Sequence, residues 1–208
     1  MLFRILISFF ALSMVAGCST PHYVDYFPYH DDGTPKPKVA LMPIIDSTQN
    51  PLPWDFTEEI ADGIYYEFMN SGEVYMVSPQ EMGAGWMKRN SIDFFSCEDY
   101  SYAADFCNTD FIISMELIER SVVPCPPCSQ TILVRIRIKI LDIRYCEPKV
   151  VLYEVFKTSY TGIQKDCGVE GGICWKSESY PRSYCGMGHH RIISNLTKRL
   201  EEVIWSIK

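Results

Sequence analysis

The chain has 208 residues, with 26 acidic side chains against 19 basic ones and a formal net charge of -7 at pH 7. That balance argues against nucleic acid and anionic lipid as electrostatic partners, because both repel an acidic chain. With 47% hydrophobic residues, a chain of this length can bury one core of ordinary size, and no second domain is required.

Met1 to Cys18 decides the compartment. Arg4 gives a positive start, Ile5 to Met14 is an apolar run too short to span a bilayer, and Val15-Ala16-Gly17 places small residues before Cys18. Val-Ala-Gly-Cys resembles the lipobox of bacterial lipoproteins. The resemblance implies cleavage between Gly17 and Cys18, a diacylglyceryl group on the Cys18 thiol and an acyl chain on its freed amine. Residues 1–17 are then a signal peptide, residues 18–37 the acylated N-terminus and a flexible tether, and residues 38–208 a single α/β domain with cysteine-rich loops. Loss of Arg4 makes the chain one unit more negative. The membrane bond is therefore expected from acyl chains, at about 0.8 kcal/mol per buried methylene. Ser19 stands where many enterobacterial lipoproteins retained in the inner membrane carry aspartate, which implies the outer membrane, facing the periplasm, with the inner membrane and the cell surface as alternatives. A secreted chain with Cys18 in a disulfide is the alternative.

Ser19 to Pro37 is rich in proline and shows no periodicity, as a tether would. Tyr23, Tyr26, Phe27 and Tyr29 could lie at the membrane interface or pack on the domain. His22 and His30 sit near Asp31 and Asp32 without ligand spacing. Lys38 to Asp46 is a near-continuous apolar run and predicts a buried strand. Asp55 reads as an N-cap for a helix with Phe56, Ile60, Ile64 and Phe68 on one face, ending at Asn70-Ser71-Gly72. Val74 to Val77 predicts a short strand, and Ser78-Pro79-Gln80-Glu81 a capping box launching a shorter helix.

Phe111 to Val122 predicts a strand closed by Pro124-Cys125-Pro126-Pro127-Cys128. From Gln130 the alternation is clean. Ile132, Val134, Ile136, Ile138 and Ile140 mark a core face, and Leu133, Arg135, Arg137 and Lys139 a wet one. A turn at Tyr145 to Pro148 leads into Lys149 to Tyr160, the partner strand of a hairpin. Thr161 to Gly188 reads as an irregular loop, and Ile192, Leu196, Leu200, Val203 and Ile207 as an amphipathic helix covering the sheet. The order β-α-β-α-β-β-β-α predicts an α/β fold with a mixed sheet of about five strands and helices packed on it.

The strings KVALMPIID and TDFIISMEL, each in this order of elements, are similar to those of curli-secretion lipoproteins, the amino-terminal domain of the Tol propeller protein and lipoprotein activators of cell-wall synthases. Asp110-Phe111-Ile112-Ile113 carries the likeness; Ser114 stands where those proteins usually have glycine. The resemblance implies non-enzymatic envelope work with an envelope protein partner. Nothing predicts the added membrane hairpins of a curli-type pore.

The cysteines are denser than in those relatives and resemble those of chlamydial envelope proteins. Cys97, Cys107, Cys125, Cys128, Cys146, Cys167, Cys174 and Cys185 are disulfide candidates in an oxidising compartment. The long strands place Cys107 and Cys146 at one pole and Cys125, Cys128, Cys167, Cys174 and Cys185 at the other, with Cys97 assigned to the first. Bridges between poles are excluded by reach. A Cys107–Cys146 or Cys97–Cys107 bridge and two bridges among the five are expected.

Cys125-Pro-Pro-Cys128 has the spacing of a dithiol oxidoreductase, but it caps a hairpin instead of opening a helix, where a thiolate would be stabilised. Zinc held by cysteines with His189 and His190 is disfavoured, because adjacent helical residues face apart. No nucleophile elbow, phosphate loop or readable carboxylate pair is present. The expectation is a lipid-anchored envelope protein with a structural or accessory role, no catalysis, no metal and no cofactor. A tethered thiol oxidoreductase and an accessory of lipid or lipopolysaccharide assembly are the alternatives.

Overall fold

The computed structural model describes residues 27–48, 52, 54–78, 81, 95, 100, 103, 108–125, 129–145, 147–163 and 175–207. These form a mixed sheet of β1 (Lys38–Leu41), β2 (Ile45–Asp46), β3 (Tyr75–Met76), β4 (Phe111–Cys125), β5 (Ser129–Asp142) and β6 (Lys149–Ile163). Helix α1 (Phe56–Ser71) lies between β2 and β3, and helix α2 (Tyr184–Ser206) closes the chain. The strands are ordered β3-β1-β4-β5-β6, with β2 also beside β4. β1 is parallel to β3 and β4, whereas β4, β5 and β6 are antiparallel. The predicted α/β class and mixed sheet are thus what the chain adopts.

The alternation in β5 sets the layers. Ile132, Val134, Ile136, Ile138 and Ile140 are each 0% exposed and form one core with Ile60, Ile64 and Phe68 of α1 and Leu196 and Leu200 of α2. Both helices therefore cover one sheet face. On the opposite face, Ala40, Met42, Ile112 and Leu141 form a smaller cluster with Tyr100 and Ala103. This second cover changes the reading of the wet face: Lys139 is buried, donating to the Phe95 carbonyl (3.2 Å) and the Tyr100 hydroxyl. Arg135 and Arg137 pair with Glu119 (2.9 Å) and Glu116 (2.7 Å). The basic stripe is answered within the chain.

Local signals act as expected at α1. The Asp55 side chain accepts from the Thr57 and Glu58 N–H groups (2.8 and 3.2 Å), and Gly72 takes the left-handed conformation that ends the helix (φ 67°). The Ser78–Glu81 capping box also forms, with Glu81 Oε2 accepting from Ser78 N (2.7 Å) and Ser78 Oγ from Glu81 N (3.3 Å). The helix predicted after it lies outside the described residues. Asp110 fastens β1 beside β4, its carboxylate accepting from Lys38 N at 2.9 Å.

Two boundaries differ from the sequence reading. The single strand expected over Lys38 to Asp46 is broken at Pro43, which has no N–H for the ladder. Leu41 pairs with Ile113 but Ile45 with Glu116, so one extra residue is taken up between β1 and β2. The last helix starts at Tyr184, inside the expected loop of Thr161 to Gly188, and β6 also extends to Ile163. Ser183 is its N-cap, accepting from Gly186 N at 3.0 Å. The glycines that suggest a loop serve close packing instead. A Cβ on Gly186 would lie 1.9 Å from the Tyr180 carbonyl oxygen, and one on Gly188 2.7 Å from the Tyr160 ring.

From Phe27, the N-terminal segment folds on itself: Tyr29 bridges to Pro35, and Gly33 turns the chain at φ 81°. Among the described residues, no helix is long and apolar enough to cross a membrane.

Gly186→Ala must displace backbone and should lower the unfolding free energy by about 1–3 kcal/mol. Leu196→Ala, emptying a fully buried site, should cost about 2–5 kcal/mol. Denaturant titrations check both, and a Gly186→Ala protein as stable as the parent would contradict the packing described.

Candidate functional site

The capped start of α1 fixes the rotation of its first two turns. Phe56 and Glu59, three residues apart, turn inward together, and Glu59 is 4% exposed within an otherwise apolar stripe. From the other side, α2 brings in His189, fully buried. The short 3₁₀ turn Tyr180–Arg182 adds the Tyr180 hydroxyl, and β4 adds Arg120.

These side chains satisfy one another. Glu59 accepts from Trp54 Nε1 (2.9 Å), from the Tyr180 hydroxyl and from His189 Nδ1 (3.0 Å to Oε2, 3.1 Å to Oε1). Tyr180 Oη also lies 2.7 Å from His189 Nδ1. On the far side of the ring, Arg120 Nη2 stands 3.3 Å from His189 Nε2. A guanidinium only donates, so Nε2 accepts and the imidazole proton sits on Nδ1. The assignment balances charge: one guanidinium, one carboxylate and a neutral imidazole. Phe56 covers the group, its ring centroid 4.3 Å from that of His189 and 5.3 Å from the Arg120 guanidinium carbon.

Burial pushes the His189 pKa below the ordinary imidazole value; Glu59 pulls the other way, and the Arg120 charge adds to the lowering. Burial, then the Glu59 charge, drives the Tyr180 hydroxyl up. Both groups keep their protons where this network needs them.

Above the network, α1 and α2 leave an open groove of about 750 Å³. Gly63 lets the helices approach at its floor, since a Cβ there would lie 2.8 Å from Ile193 Cδ1. Tyr65, Tyr66 and Met69 of α1 face Met187 and Ile193 of α2 across it, and Trp175 closes one end. Tyr66 and Met187 are 48% and 46% exposed, so apolar side chains stand open to solvent beside Asp62, Glu67, Lys176 and His190. Lys176 bridges Glu58 and Asp62, both at 3.4 Å, and His190 lies 3.8 Å from Glu67.

The sequence-predicted site residues fall elsewhere. Gly17 and Cys18 lie outside the described residues, as do Cys97, Cys107, Cys128, Cys146, Cys167 and Cys174. Cys125 and Cys185 form no disulfide in this structure, which corrects the expectation of bridges for these two. They lie at one pole, as expected, but on opposite sides of the sheet. The Cys125 Sγ stands 3.4 Å from Thr131 Oγ1, on the face away from the helices, whereas Cys185 packs into the core beneath α2. His189 and His190 do face apart, one buried and one exposed. Among the described residues, no group of three or more His, Cys, Asp and Glu side chains is placed to hold a metal ion.

A family model matches residues 25–208, nearly the whole chain. The chain belongs to the Family of unknown function (DUF7499). No curated protein matches its sequence. This DUF7499 member shares its fold with the hypothetical protein CT253 from Chlamydia trachomatis, at 19% identity and a TM-score of 0.68, over 81% of this chain and 98% of that one. Looser matches include lipoprotein GNA1162 from Neisseria meningitidis, at 9% identity and a TM-score of 0.47, over 80% of this chain and 99% of that one. The C-terminal domain of LpoB from Salmonella enterica matches at 8% identity and a TM-score of 0.33, over 59% and 82%.

Sequence reasoning passed over Glu59, Arg120, Tyr180 and Trp54. The readable signal is Glu59, a carboxylate inside the apolar stripe of a capped helix.

The network makes stability depend on pH. His189 stays neutral in the fold while the unfolded imidazole takes a proton below about pH 6.5, so the unfolded state binds more protons there. Stability should hold above that pH and fall on acidification toward the lowered folded pKa, by up to about 1.4 kcal/mol per pH unit. Urea titrations between pH 8 and pH 5 check this, and His189→Gln should flatten the slope. An unchanged slope in that variant would show that His189 is not its source.

Proposed function

We propose that this DUF7499 protein is a lipid-anchored envelope protein with an accessory, non-catalytic role. Acyl chains on Cys18 hold it at the outer membrane, facing the periplasm, and the α1–α2 groove binds an envelope protein partner. The observation that carries the reading is the contrast between the open apolar wall of the groove and the self-satisfied polar network at its base. The groups suited to acid–base chemistry, Glu59, His189 and Tyr180, are bonded to one another in the core. Glu59 and Tyr180 reach the cleft only as members of that bonded network, and most of its remaining wall is aromatic, methionine and isoleucine side chains, with Asp62, Glu67, Lys176 and His190 at its edges. Tyr, Trp and Met are the side chains enriched at the centres of protein interfaces, where they bury large area at low entropic cost.

The anchor rests on the lipobox and its apolar leader. Cys18→Ala should abolish incorporation of labelled palmitate and release the chain from the membrane fraction. Label retained by that variant would refute the assignment of Cys18.

The groove has its own test. A photo-crosslinking residue at Met187 should capture one envelope protein, and Tyr66→Arg should remove that product while changing stability by less than about 0.5 kcal/mol. Capture unaffected by Tyr66→Arg would count against the groove as the binding surface.

A further inference from the structure

The pole of the domain at which the chain leads back toward Cys18 carries exposed aromatic side chains. Phe27 and Tyr29 are 62% and 58% exposed. They belong to a closed turn: Tyr29 bridges to Pro35, Lys36 N donates to the Pro28 carbonyl (2.9 Å), and His30 N donates to that of Thr34 (2.8 Å). The turn is fixed to the sheet, because Lys36 and Pro37 are buried and Tyr75 N donates to the Pro37 carbonyl (2.9 Å). From Lys38 the same pole continues across the strands. Asp110 N donates to the Lys38 carbonyl (2.8 Å) and Ile143 N to the Asp110 carbonyl (2.9 Å). Ile143 leads directly into Arg144 and Tyr145, and Tyr145 is 59% exposed. The end of α2 lies there too, its Ile207 carbonyl accepting from Arg144 Nη2 at 3.2 Å.

We propose that this pole is a membrane-docking surface, with Phe27, Tyr29 and Tyr145 seated in the headgroup region of the bilayer to which Cys18 is bound. The inference rests on the reading of Cys18 as the acylated residue, and that reading sets the geometry. From Cys18 to Phe27 the chain reaches at most roughly 30 Å, at about 3.3–3.6 Å per residue. The pole is therefore held at high effective concentration beside lipid, where a weak apolar contact is enough to seat it. Tyrosine suits the interface, with a ring for the acyl boundary and a hydroxyl for water and headgroups. The Tyr145 ring also lies 5.7 Å from the Arg144 guanidinium carbon and 5.6 Å from the Lys149 ammonium, on stems long enough to extend a charge to lipid phosphate. Exposed carboxylates at Asp31, Asp32 and Glu147 set the lipid class. They repel an anionic surface, whereas a zwitterionic headgroup offers phosphate without net charge.

The test uses the full-length chain carrying its lipid, reconstituted in vesicles of phosphatidylethanolamine and phosphatidylcholine, with a photo-crosslinking residue in place of Tyr145 or, as the control, of Val123. Val123 is 48% exposed but stands near the far end of β4, roughly 40 Å from Phe111 at about 3.3 Å per residue. Irradiation should attach phospholipid at position 145 about tenfold more than at position 123. Phe27→Ser combined with Tyr29→Ser should cut the yield at 145 about fivefold or more, with the urea midpoint unchanged because both side chains are exposed. Replacing part of the lipid with phosphatidylglycerol should not raise it. Equal labelling at 145 and 123, a yield at 145 indifferent to the double substitution, a severalfold rise with anionic lipid, or a covalent dimer in place of the lipid adduct would each overturn the proposal. The intact mass of the same samples separates it from the anchor. Acyl chains on Cys18 without a lipid adduct at 145 overturn the docking alone, whereas Cys18 without acyl chains overturns both.

Discussion

The packing of this domain turns on one buried carboxylate. Glu59 gathers donors from three further parts of the chain: the Trp54 indole ahead of α1, the Tyr180 hydroxyl, and the His189 imidazole on α2. Arg120 on β4 completes the chain through the other ring nitrogen of His189. An isolated carboxylate at that depth would be expensive, and removing any one donor leaves a buried acceptor or donor short. The network therefore specifies a geometry more than it adds stability. It fixes the rotation of α1, the start of α2 and the height of both above the sheet, and the walls of the groove follow from those three.

The sheet itself is built asymmetrically, and the asymmetry is legible in β5. Its isoleucines are committed to the helices, while the intervening Arg135 and Arg137 are held by Glu119 and Glu116 of β4. Exposed pairs of this kind add little stability, but across a ladder they favour one register over its neighbours. Lys139, one step further, is taken out of solvent by Phe95, Tyr100 and Tyr153, whose rings lie 5.8, 5.0 and 5.2 Å from its ammonium. A face that is wet at one end of the strand is thus covered at the other.

Patterns with a short physical range were readable from the sequence. Asp55 and Gly72 bound α1 because a cap acts through neighbours in sequence, and the β4–β5–β6 meander follows from strict alternation. Signals whose meaning depends on distant residues were not. The Gly186 and Gly188 pair reads as loop until Tyr180 and Tyr160 are seen against it. Cys125 and Cys185 reach the same pole, as strand lengths require, yet periodicity alone could not show that the sheet lies between them. Glu59 was visible as an anomaly in an apolar stripe, but its partners come from positions up to 130 residues away.

Helix α2 joins the groove to the edge of the sheet. Toward α1 it presents Ile193 against Gly63, closing the floor of the groove. Toward β6 it presents Arg199, whose two terminal contacts with Glu154 are both 2.9 Å. The bidentate pair ties the helix to the edge strand. A small rotation of α2 would therefore alter the groove and the Glu154 contact at once. The buried His189 stands on that helix, so the element that shapes the groove is also the one held by the protonation state of the core.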